Sequence, residues 1–235
     1  MTDATTAPPA IEHEVLAAVL QVRAESLRVL LWERGLEPHA HRWSLPGGRL
    51  RPDEDVEQSI KRQLAEKVDV RQLSHVEQLA VFSAPDRVPG PRVVATAFLG
   101  LVPADNDPVV PGDTRWHSVE ELPHTAFDHE SIVRRARDRL RAKLSYTNIG
   151  FALAPPEFTI SALRGLYSAA LGYRVSATNL QRVLSRRGLL EATGATAQPG
   201  RAGGRPAALF SFVERSMAVT DPFAVLRPPQ TGERS

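Results

Sequence analysis

The chain has 235 residues, a formal net charge of +2 and no cysteine. This length is enough for two small domains that each bury a core. The absence of cysteine excludes disulfides, thiolate nucleophiles and zinc sites with cysteine ligands. Residues 1–9 lack the apolar core of a signal peptide, and no apolar run approaches the roughly 20 residues of a membrane span. We therefore expect a cytoplasmic protein without a membrane partner.

Charge is distributed unevenly along the chain. Residues 145–235 contain ten Arg and five acidic residues, whereas residues 1–144 contain 19 basic and 22 acidic residues. A basic C-terminal part beside a slightly acidic N-terminal part indicates that one end of the chain meets an anionic polymer. An arginine-rich composition of the source organism is the alternative explanation.

Strands dominate the first part of the chain. After a polar, proline-bearing tail at 1–12, apolar and β-branched stretches predict strands at 13–22, 27–32, 73–83, 92–102 and 114–119. Residues 24–26 are expected to form the turn between the first two strands. Helices are predicted after the Gly47-Gly48 pair and at 128–144, so this part is an α/β domain.

The segment 47–70 carries the most informative pattern. Its glycine pair follows Trp43-Ser44-Leu45-Pro46, and a helix is predicted by apolar residues that recur every four positions: Val56, Ile60, Leu64 and Val68. Asp53, Glu54 and Asp55 precede this stripe, where acids suit the positive end of the helix dipole. Taken alone, the pattern also fits an amphipathic helix with a solvated charged face.

The same segment resembles the Nudix box. That pattern has Gly, five residues, Glu, seven residues, Arg-Glu, an apolar residue, any residue, Glu-Glu, any residue, Gly and an apolar residue. The matching positions are Gly48, Glu54, Arg62, Leu64, Glu66 and Val70, and the departures are Gln63, Lys67 and Asp69. The resemblance implies an α/β/α sandwich in which box glutamates hold divalent cations against a diphosphate.

Two of the departures change this metal chemistry. Magnesium prefers anionic oxygen ligands, and Gln63 offers a neutral amide where the family has a carboxylate. Lys67 places a positive charge where the cation would lie, and like charges a few ångströms apart repel by roughly 1–4 kcal/mol. We therefore predict no catalytic residue, no metal site and no required cofactor. Glu66 alone leaves weak magnesium binding and residual hydrolysis open.

The helix predicted at 128–144 joins the first domain to the rest of the chain. Its apolar residues fall four apart, and five arginines occupy its other faces. A connector at 146–156 follows, and Pro155-Pro156 marks a boundary because residues before proline avoid the helical region. We hypothesise that this helix transmits the state of the first domain to the second.

Residues 157–213 show the order of a winged helix-turn-helix. A helix opened by Thr159 ends near residue 171, and a second helix starts near Ser176 and stops at Gly188. Strands are predicted at 189–191 and 207–213, around a glycine-rich loop. In this plan the second helix enters the major groove of DNA.

The exposed face of the second helix carries the residues expected to contact DNA. Asn can pair with an adenine edge and Arg with a guanine edge, and arginines of the hairpin loop suit phosphates or a narrow minor groove. The predicted DNA-binding residues are Thr178, Asn179, Gln181, Arg182, Arg186, Arg201 and Arg205. A small accessory domain with a solvated arginine face is the alternative.

The two domains together are similar to the NrtR family, the Nudix-related transcriptional regulators of NAD metabolism. The resemblance covers residues 12–213 and depends on Asp128-His129, Phe158-Thr159, residues 178–182 and Gly204-Arg205-Pro206. It implies a homodimer whose winged helices bind a double-stranded DNA operator. It also implies an effector, ADP-ribose or a related NAD-derived nucleotide, and repression of genes for NAD synthesis or salvage. The loop 86–92 follows the family's basic loop only loosely.

The nucleotide is expected to meet arginines suited to bidentate phosphate contact, together with an aromatic ring. The predicted ligand-binding residues are Arg49, Arg62, Glu66, Phe82, Arg87 and Arg92. Trp43 is a second stacking candidate, although both aromatic residues also fit plain core packing. The expected division is a tail at 1–12, a sensing domain at 13–145, a linker at 146–156, a DNA-binding domain at 157–213 and a tail at 214–235.

Two other functions remain open at this point. One is an active nucleotide-diphosphate hydrolase of the ADP-ribose pyrophosphatase type, with an accessory C-terminal domain. The other is a module that binds only proteins.

Overall fold

A computed structural model describes residues 10–67, 73–197 and 206–220. The chain divides into two compact units, with the boundary between Arg139 and Leu140. The elements that precede this boundary are β1 (Glu12–Arg23), β2 (Ser26–Glu33), β3 (Trp43–Ser44), β4 (Gly47–Arg49), α1 (Val56–Lys67), β5 (His75–Phe82), β6 (Val93–Leu101) and β7 (Thr114–Ser118). Helix α2 (His129–Tyr146) contains the boundary. Val68, Asp69 and Val70 of the predicted box lie outside the described residues.

In the described part of the first unit, seven strands form one mixed sheet. The order is β3-β2-β1-β6-β5, with β4 paired to β1 and β7 paired to β2. Strands β1 and β6 are parallel, with Glu12 opposite Val93 and Leu20 opposite Leu101. Residues 15–20 of β1 are all at most 3% exposed, so both faces of this strand are covered. That explains the continuous apolar run, because a strand covered on both faces has no need to alternate.

Helix α1 packs on the sheet through the apolar stripe that its sequence predicts. Ile60 and Leu64 are 0% and 2% exposed and lie in a core cluster with Val15 and Phe98. Each such side chain contributes about 1.5–3 kcal/mol through burial. The helix start is fixed by reciprocal hydrogen bonds, from Gln58 N to Asp55 Oδ1 at 2.8 Å and from Asp55 N to Gln58 Oε1 at 2.9 Å. This arrangement is a capping box, and it holds the box helix in register.

Two short strands were not predicted, namely β3 and β4 on either side of Pro46. They are too short for an alternating pattern, and the neighbouring strands create them by pairing. Gly47 lies opposite Leu16 of β1, and a Cβ atom at Gly47 would lie 2.2 Å from the Val15 carbonyl oxygen. Only glycine permits this approach, which brings the glycine pair against β1.

The second unit contains the predicted helix-turn-helix and hairpin. Its elements are a 3-10 helix (Ile149–Ala152), α3 (Ile160–Leu171), α4 (Ala177–Arg186), β8 (Leu190–Thr196) and β9 (Ala208–Phe212). Thr159 caps α3 by accepting from Ala162 N at 3.1 Å, and Ser176 caps α4 by accepting from Asn179 N at 3.4 Å. Both predicted caps are therefore confirmed. Gly172 ends α3 with a φ of +80°, in the left-handed region that favours glycine.

The segment predicted as a connector is instead built into the second unit. Ile149 and residues 151–154 are at most 1% exposed, and Gly150 is buried as well. The Arg215 guanidinium donates to the carbonyl oxygens of Phe151, Ala154 and Pro155, each at 3.1 Å. A single 3-10 turn has no apolar period, so its burial was invisible in the sequence.

No helix in the described part of the chain is long and apolar enough to cross a bilayer.

Candidate functional site

The preserved acid and arginine of the box form an ion pair. Glu54 precedes α1, and Arg62 of α1 donates to it through Nε at 2.8 Å and also through a terminal nitrogen. Hydrogen bonds from Arg62 lower the pKa of Glu54 to about 2. The Gly-to-Glu-to-Arg spacing therefore has a structural role here, because the pair ties the loop to the helix.

Glu66, the one box glutamate retained at a metal-binding position, also lies close to arginine side chains. Glu66 Oε2 accepts from Arg62 at 3.3 Å, and its other oxygen lies 3.9 Å from Arg51. Within the described residues, no group of three His, Cys, Asp or Glu side chains could hold a metal ion. A hard cation prefers several anionic oxygens, and in this structure both oxygens of Glu66 lie near an arginine.

Gln63 occupies the position of a family glutamate and is used as an amide. Its side chain is 4% exposed and lies against the glycine pair, so that a Cβ atom at Gly48 would be 2.6 Å from the nearer terminal atom of its amide. With the amide oriented to satisfy both neighbours, its nitrogen donates to Gly47 O and its oxygen accepts from Arg62, each at 3.2 Å. A carboxylate could not donate to Gly47, so this contact is specific for glutamine.

A pocket of about 260 Å³ opens beside the glycine pair. It combines apolar and aromatic walls with a few polar groups, which is the usual composition of a small-molecule site. Its lining residues are Glu14, Leu16, Trp32, Arg34, Gly35, Leu36, Ser44, Leu45, Gly47, Gly48, Phe127 and His129.

Glu14, the acidic residue in the lining of this pocket, accepts a hydrogen bond from the buried Arg87. The Arg87 side chain is 1% exposed and donates to Glu14 at 2.5 Å and to both oxygens of Asp128 at 2.9 and 2.7 Å. Its pKa is raised by its hydrogen bonds to Asp128 and Glu14, although burial acts in the opposite direction. Arg87 thus joins β1, the loop before β6 and the residue that precedes α2.

His129 connects the first turn of α2 to the same pocket. The Leu45 backbone N–H donates to its Nδ1 at 3.0 Å. Burial lowers the pKa of His129 to about 3, so the ring is neutral at pH 7. Because Nδ1 accepts a hydrogen bond, the neutral ring carries its proton on Nε2.

The predicted ligand-binding residues are not the residues that line this pocket. Arg62 and Glu66 pair with each other, Arg49 pairs with Glu12 at 2.8 Å, and Arg92 donates to Ser83 O at 2.7 Å. Phe82 ends β5 and is half-buried. Arg87 touches the pocket only through Glu14. Arg34, Ser44 and Phe127 line the pocket but were not predicted, because no motif marks them. The Asp128-His129 pair was the available signal in the sequence.

The described part of the second unit presents a polar helix face. Thr178, Asn179, Arg182 and Arg186 are exposed, whereas Gln181 is half-buried. Leu180 and Leu184 hold the opposite side of α4 in the core at 6% and 2% exposure. Arg182 donates to Asn179 Oδ1 at 2.8 Å, so two of the candidate residues already form a pair. Arg201 and Arg205 lie outside the described residues.

The hairpin of strands β8 and β9, which is the wing, is extended by backbone pairing with Phe158. Strands β8 and β9 are antiparallel, with Leu190 opposite Phe212. Phe158 forms two backbone hydrogen bonds with Phe210, of 2.9 and 2.8 Å. This pairing fixes the start of α3 against the hairpin, which is the geometry of a winged helix.

Comparison with known families agrees with both units. The NUDIX domain matches residues 12–136, and the NrtR DNA-binding winged helix domain matches residues 150–212. The protein is therefore a Nudix domain followed by a winged-helix DNA-binding domain.

Individual relatives then identify the family more closely. The crystal structure of Shewanella oneidensis NrtR complexed with a 27mer DNA is 30% identical, with a TM-score of 0.71, over 85% of this chain and 92% of that chain. The ADPR responsive transcriptional repressor NtrR of Acinetobacter baylyi is 29% identical over 83% of this chain and 79% of its own. An ADP-ribose pyrophosphatase of Methanocaldococcus jannaschii is 30% identical over 46% of this chain and 64% of its own. The chain belongs to the NrtR family.

Proposed function

We propose that this protein is a DNA-binding transcriptional repressor that responds to ADP-ribose or a related NAD-derived nucleotide. The observation that carries this function is the pairing of a Nudix unit without a metal-binding cluster among its described residues with a winged helix whose polar face is exposed. The Acinetobacter relative is an ADPR responsive repressor, and the Shewanella relative was crystallised on DNA. Both support this function for a chain of the same domain order.

In this proposal, helix α4 enters the major groove of a double-stranded operator. Asn179 and Arg182 would contact base edges, and Arg186 would follow at the next turn of the same face. Thr178, Gln181 and the wing arginines Arg201 and Arg205 complete the proposed contact set. We infer that the protein acts as a cytoplasmic homodimer on two half-sites, as dimeric helix-turn-helix proteins do.

The effector acts only if it binds two states of the protein with different affinity. We assign the transmission to α2, because Asp128 and His129 at its start are bonded to Arg87 and Leu45. The same helix continues past the boundary, where Arg141 donates to Ala170 O at 3.1 Å. Helix α2, which begins in the first unit and ends in the second, is therefore our candidate for this transmission.

Fluorescence anisotropy tests the proposal directly. The full-length protein is titrated onto DNA fragments from upstream of NAD-synthesis and salvage genes of its own genome, with competitor DNA, with and without ADP-ribose. We expect specific binding that ADP-ribose changes, and loss of specificity in Arg182→Ala. Arg135→Ala is the matched control, since Arg135 is an exposed arginine on α2. Absence of specific binding to every such fragment would withdraw the NAD-operator assignment.

A second candidate function is hydrolysis of ADP-ribose, which the similarity to the archaeal pyrophosphatase favours. We propose that the box is vestigial, because Gln63 is committed to Gly47 and Glu66 to Arg62. The wild-type protein is then expected to show no substantial turnover of ADP-ribose with magnesium. The double variant Gln63→Glu/Lys67→Glu restores the family carboxylates and is expected to create magnesium-dependent hydrolysis. Substantial wild-type turnover would favour the enzyme.

A further inference from the structure

A second cavity, of about 330 Å³, lies within the second unit beside the first turn of α4. Its walls come from the end of α2, from α3, from the turn that follows α3 and from α4. Six of its lining residues are aliphatic, namely Leu144, Leu171, Val175, Leu180, Val183 and Leu184. Small-molecule sites span roughly 300–1,000 Å³ and are mostly apolar. The cavity is therefore large enough for a small organic molecule with an apolar body.

The charged residues around this cavity are all positive. Its lining includes Arg174 and Arg187, and no Asp or Glu occurs among the described lining residues. Arg174 is exposed and forms no hydrogen bond or ion pair within the described ranges. Arg187 donates to Ser145 O at 2.8 Å, so that its positive charge is held beside the cavity. Charge complementarity therefore favours an anionic guest.

Tyr167 adds a hydrogen-bond donor to the lining. It is 3% exposed, and its hydroxyl bonds to no group in the part of the chain that the structure describes. Burial raises the pKa of this hydroxyl, whereas the nearby charge of Arg187 acts in the opposite direction, so Tyr167 is protonated at pH 7. An unpaired buried hydroxyl is unfavourable, and an acceptor on a bound molecule would remove that penalty.

A carboxylate satisfies both kinds of group. When ionised it only accepts hydrogen bonds, so it can accept from the Tyr167 hydroxyl while the two arginines balance its charge. Sugars, bases and phosphates carry many polar atoms, and aliphatic walls would leave most of these atoms without partners. An apolar body with one carboxylate fits the walls and the charge together.

We propose that this cavity binds a small monocarboxylic acid with an aromatic or aliphatic body, and that the bound acid lowers the affinity of α4 for DNA. The carboxylate accepts from Tyr167 near Arg187, and the body packs against Leu171 and Val183. Asn179 lines the same cavity and belongs to the proposed DNA-contact set, and Ser176 in its wall caps α4. The effect on DNA rests on the proposed function, whereas binding of the acid does not.

Isothermal titration calorimetry on the full-length protein tests the binding step. The probes are benzoate, 2-naphthoate and octanoate, which differ in the shape of the apolar body, and the neutral amide of each acid is its control. We expect at least one acid to bind with a Kd below about 1 mM and its amide to bind at least about 10-fold more weakly. Absence of binding by all three acids in this range, or equal binding of acid and amide, would overturn the proposal.

Tyr167→Phe locates the acid in this cavity. The variant removes a hydroxyl that has no partner in the described protein, so its melting temperature should not fall. We expect the Kd for the acid to rise by about 3- to 10-fold. Tyr146→Phe is the matched control, because Tyr146 is half-buried and does not line the cavity, and its Kd should stay within twofold of the wild-type value. Equal affinity in Tyr167→Phe and the wild-type protein would refute this placement.

Arg174→Gln tests the charge. Because Arg174 is exposed, we expect a smaller rise in the Kd for the acid, of about 2- to 5-fold. Arg186→Gln is the control, since Arg186 is an exposed arginine of α4 outside the cavity. If Arg174→Gln instead weakens DNA binding without the acid and leaves acid binding unchanged, Arg174 serves the DNA backbone and its role in the cavity is wrong.

Fluorescence anisotropy on the DNA fragment that binds most tightly tests the coupling. We expect a saturating acid to raise the Kd for DNA at least about 3-fold, and to have less effect on Tyr167→Phe at the same concentration. Acid binding without any change in DNA affinity would refute the coupling. Acid binding in a protein that binds no DNA fragment specifically would support the site and contradict the proposed function. Specific DNA binding without acid binding would do the opposite.

Discussion

Replacing Arg87 by methionine should destabilise the first unit, because two carboxylates would lose their partner. The Arg87 side chain is 1% exposed, whereas those of Glu14 and Asp128 are 21% and 22% exposed. Removing one partner of a buried ion pair costs about 3–5 kcal/mol. Water can solvate part of the two exposed carboxylates, so we expect the lower end, about 3 kcal/mol. For a chain of this size, that corresponds to a fall of about 6–12 °C in melting temperature.

Urea unfolding at pH 7 measures this loss. Arg134→Met is the matched control, because Arg134 pairs with Glu130 on the surface of α2, where the two side chains are 57% and 50% exposed. Such a pair contributes at most about 0.5 kcal/mol. The triple variant Arg87→Met/Glu14→Gln/Asp128→Asn should recover part of the stability, since no unpaired charge remains. An Arg87→Met protein within 0.5 kcal/mol of the control would refute the reasoning.

Two other predictions concern the pH dependence of stability and the turn between β1 and β2. Burial lowers the pKa of His129 to about 3, below its ordinary 6.5, so unfolding takes up a proton between these values. The free energy of unfolding should therefore fall by up to about 1.4 kcal/mol per pH unit below pH 6. His129→Asn keeps an acceptor for the Leu45 N–H and should reduce this fall, measured by urea unfolding at pH 7.5 and 5.0. An equal fall in the variant and the wild-type protein would contradict the assignment. Ala24 and Glu25 have φ values of +46° and +58°, so Ala24→Asn/Glu25→Gly should raise the free energy of unfolding by about 1 kcal/mol, and a lower melting temperature would contradict this.

The elements with strong periodic patterns were predicted well. Strand β6 was expected at 92–102 and is Val93–Leu101, and α2 was expected at 128–144 and is His129–Tyr146. The caps at Thr159 and Ser176 were also predicted, because capping depends on a side chain and the backbone three residues later. These features depend on residues close together in the chain, and therefore they can be predicted from a single sequence.

The candidate site was predicted less well, for a physical reason. The phosphate-binding hypothesis selected arginines by type, and charge alone does not show which arginine is already paired. Arg49 pairs with Glu12, 37 residues before it, and Arg87 pairs with Asp128, 41 residues after it. Arg34 carries the same charge but retains terminal nitrogens without a partner among the described residues. Only the folded chain distinguishes these cases.

The sequence by itself determined the class of protein, because the box spacing, the capped helix pair and the arginine bias are local or compositional properties. It also located the departures Gln63 and Lys67 from the metal-binding pattern. Tertiary structure decided which side chains form the pocket, since β1, β3 and the start of α2 bring Glu14, Ser44 and His129 together over more than a hundred residues of chain. Parallel and crossover pairing creates such neighbours at long sequence separation, and no local pattern encodes them.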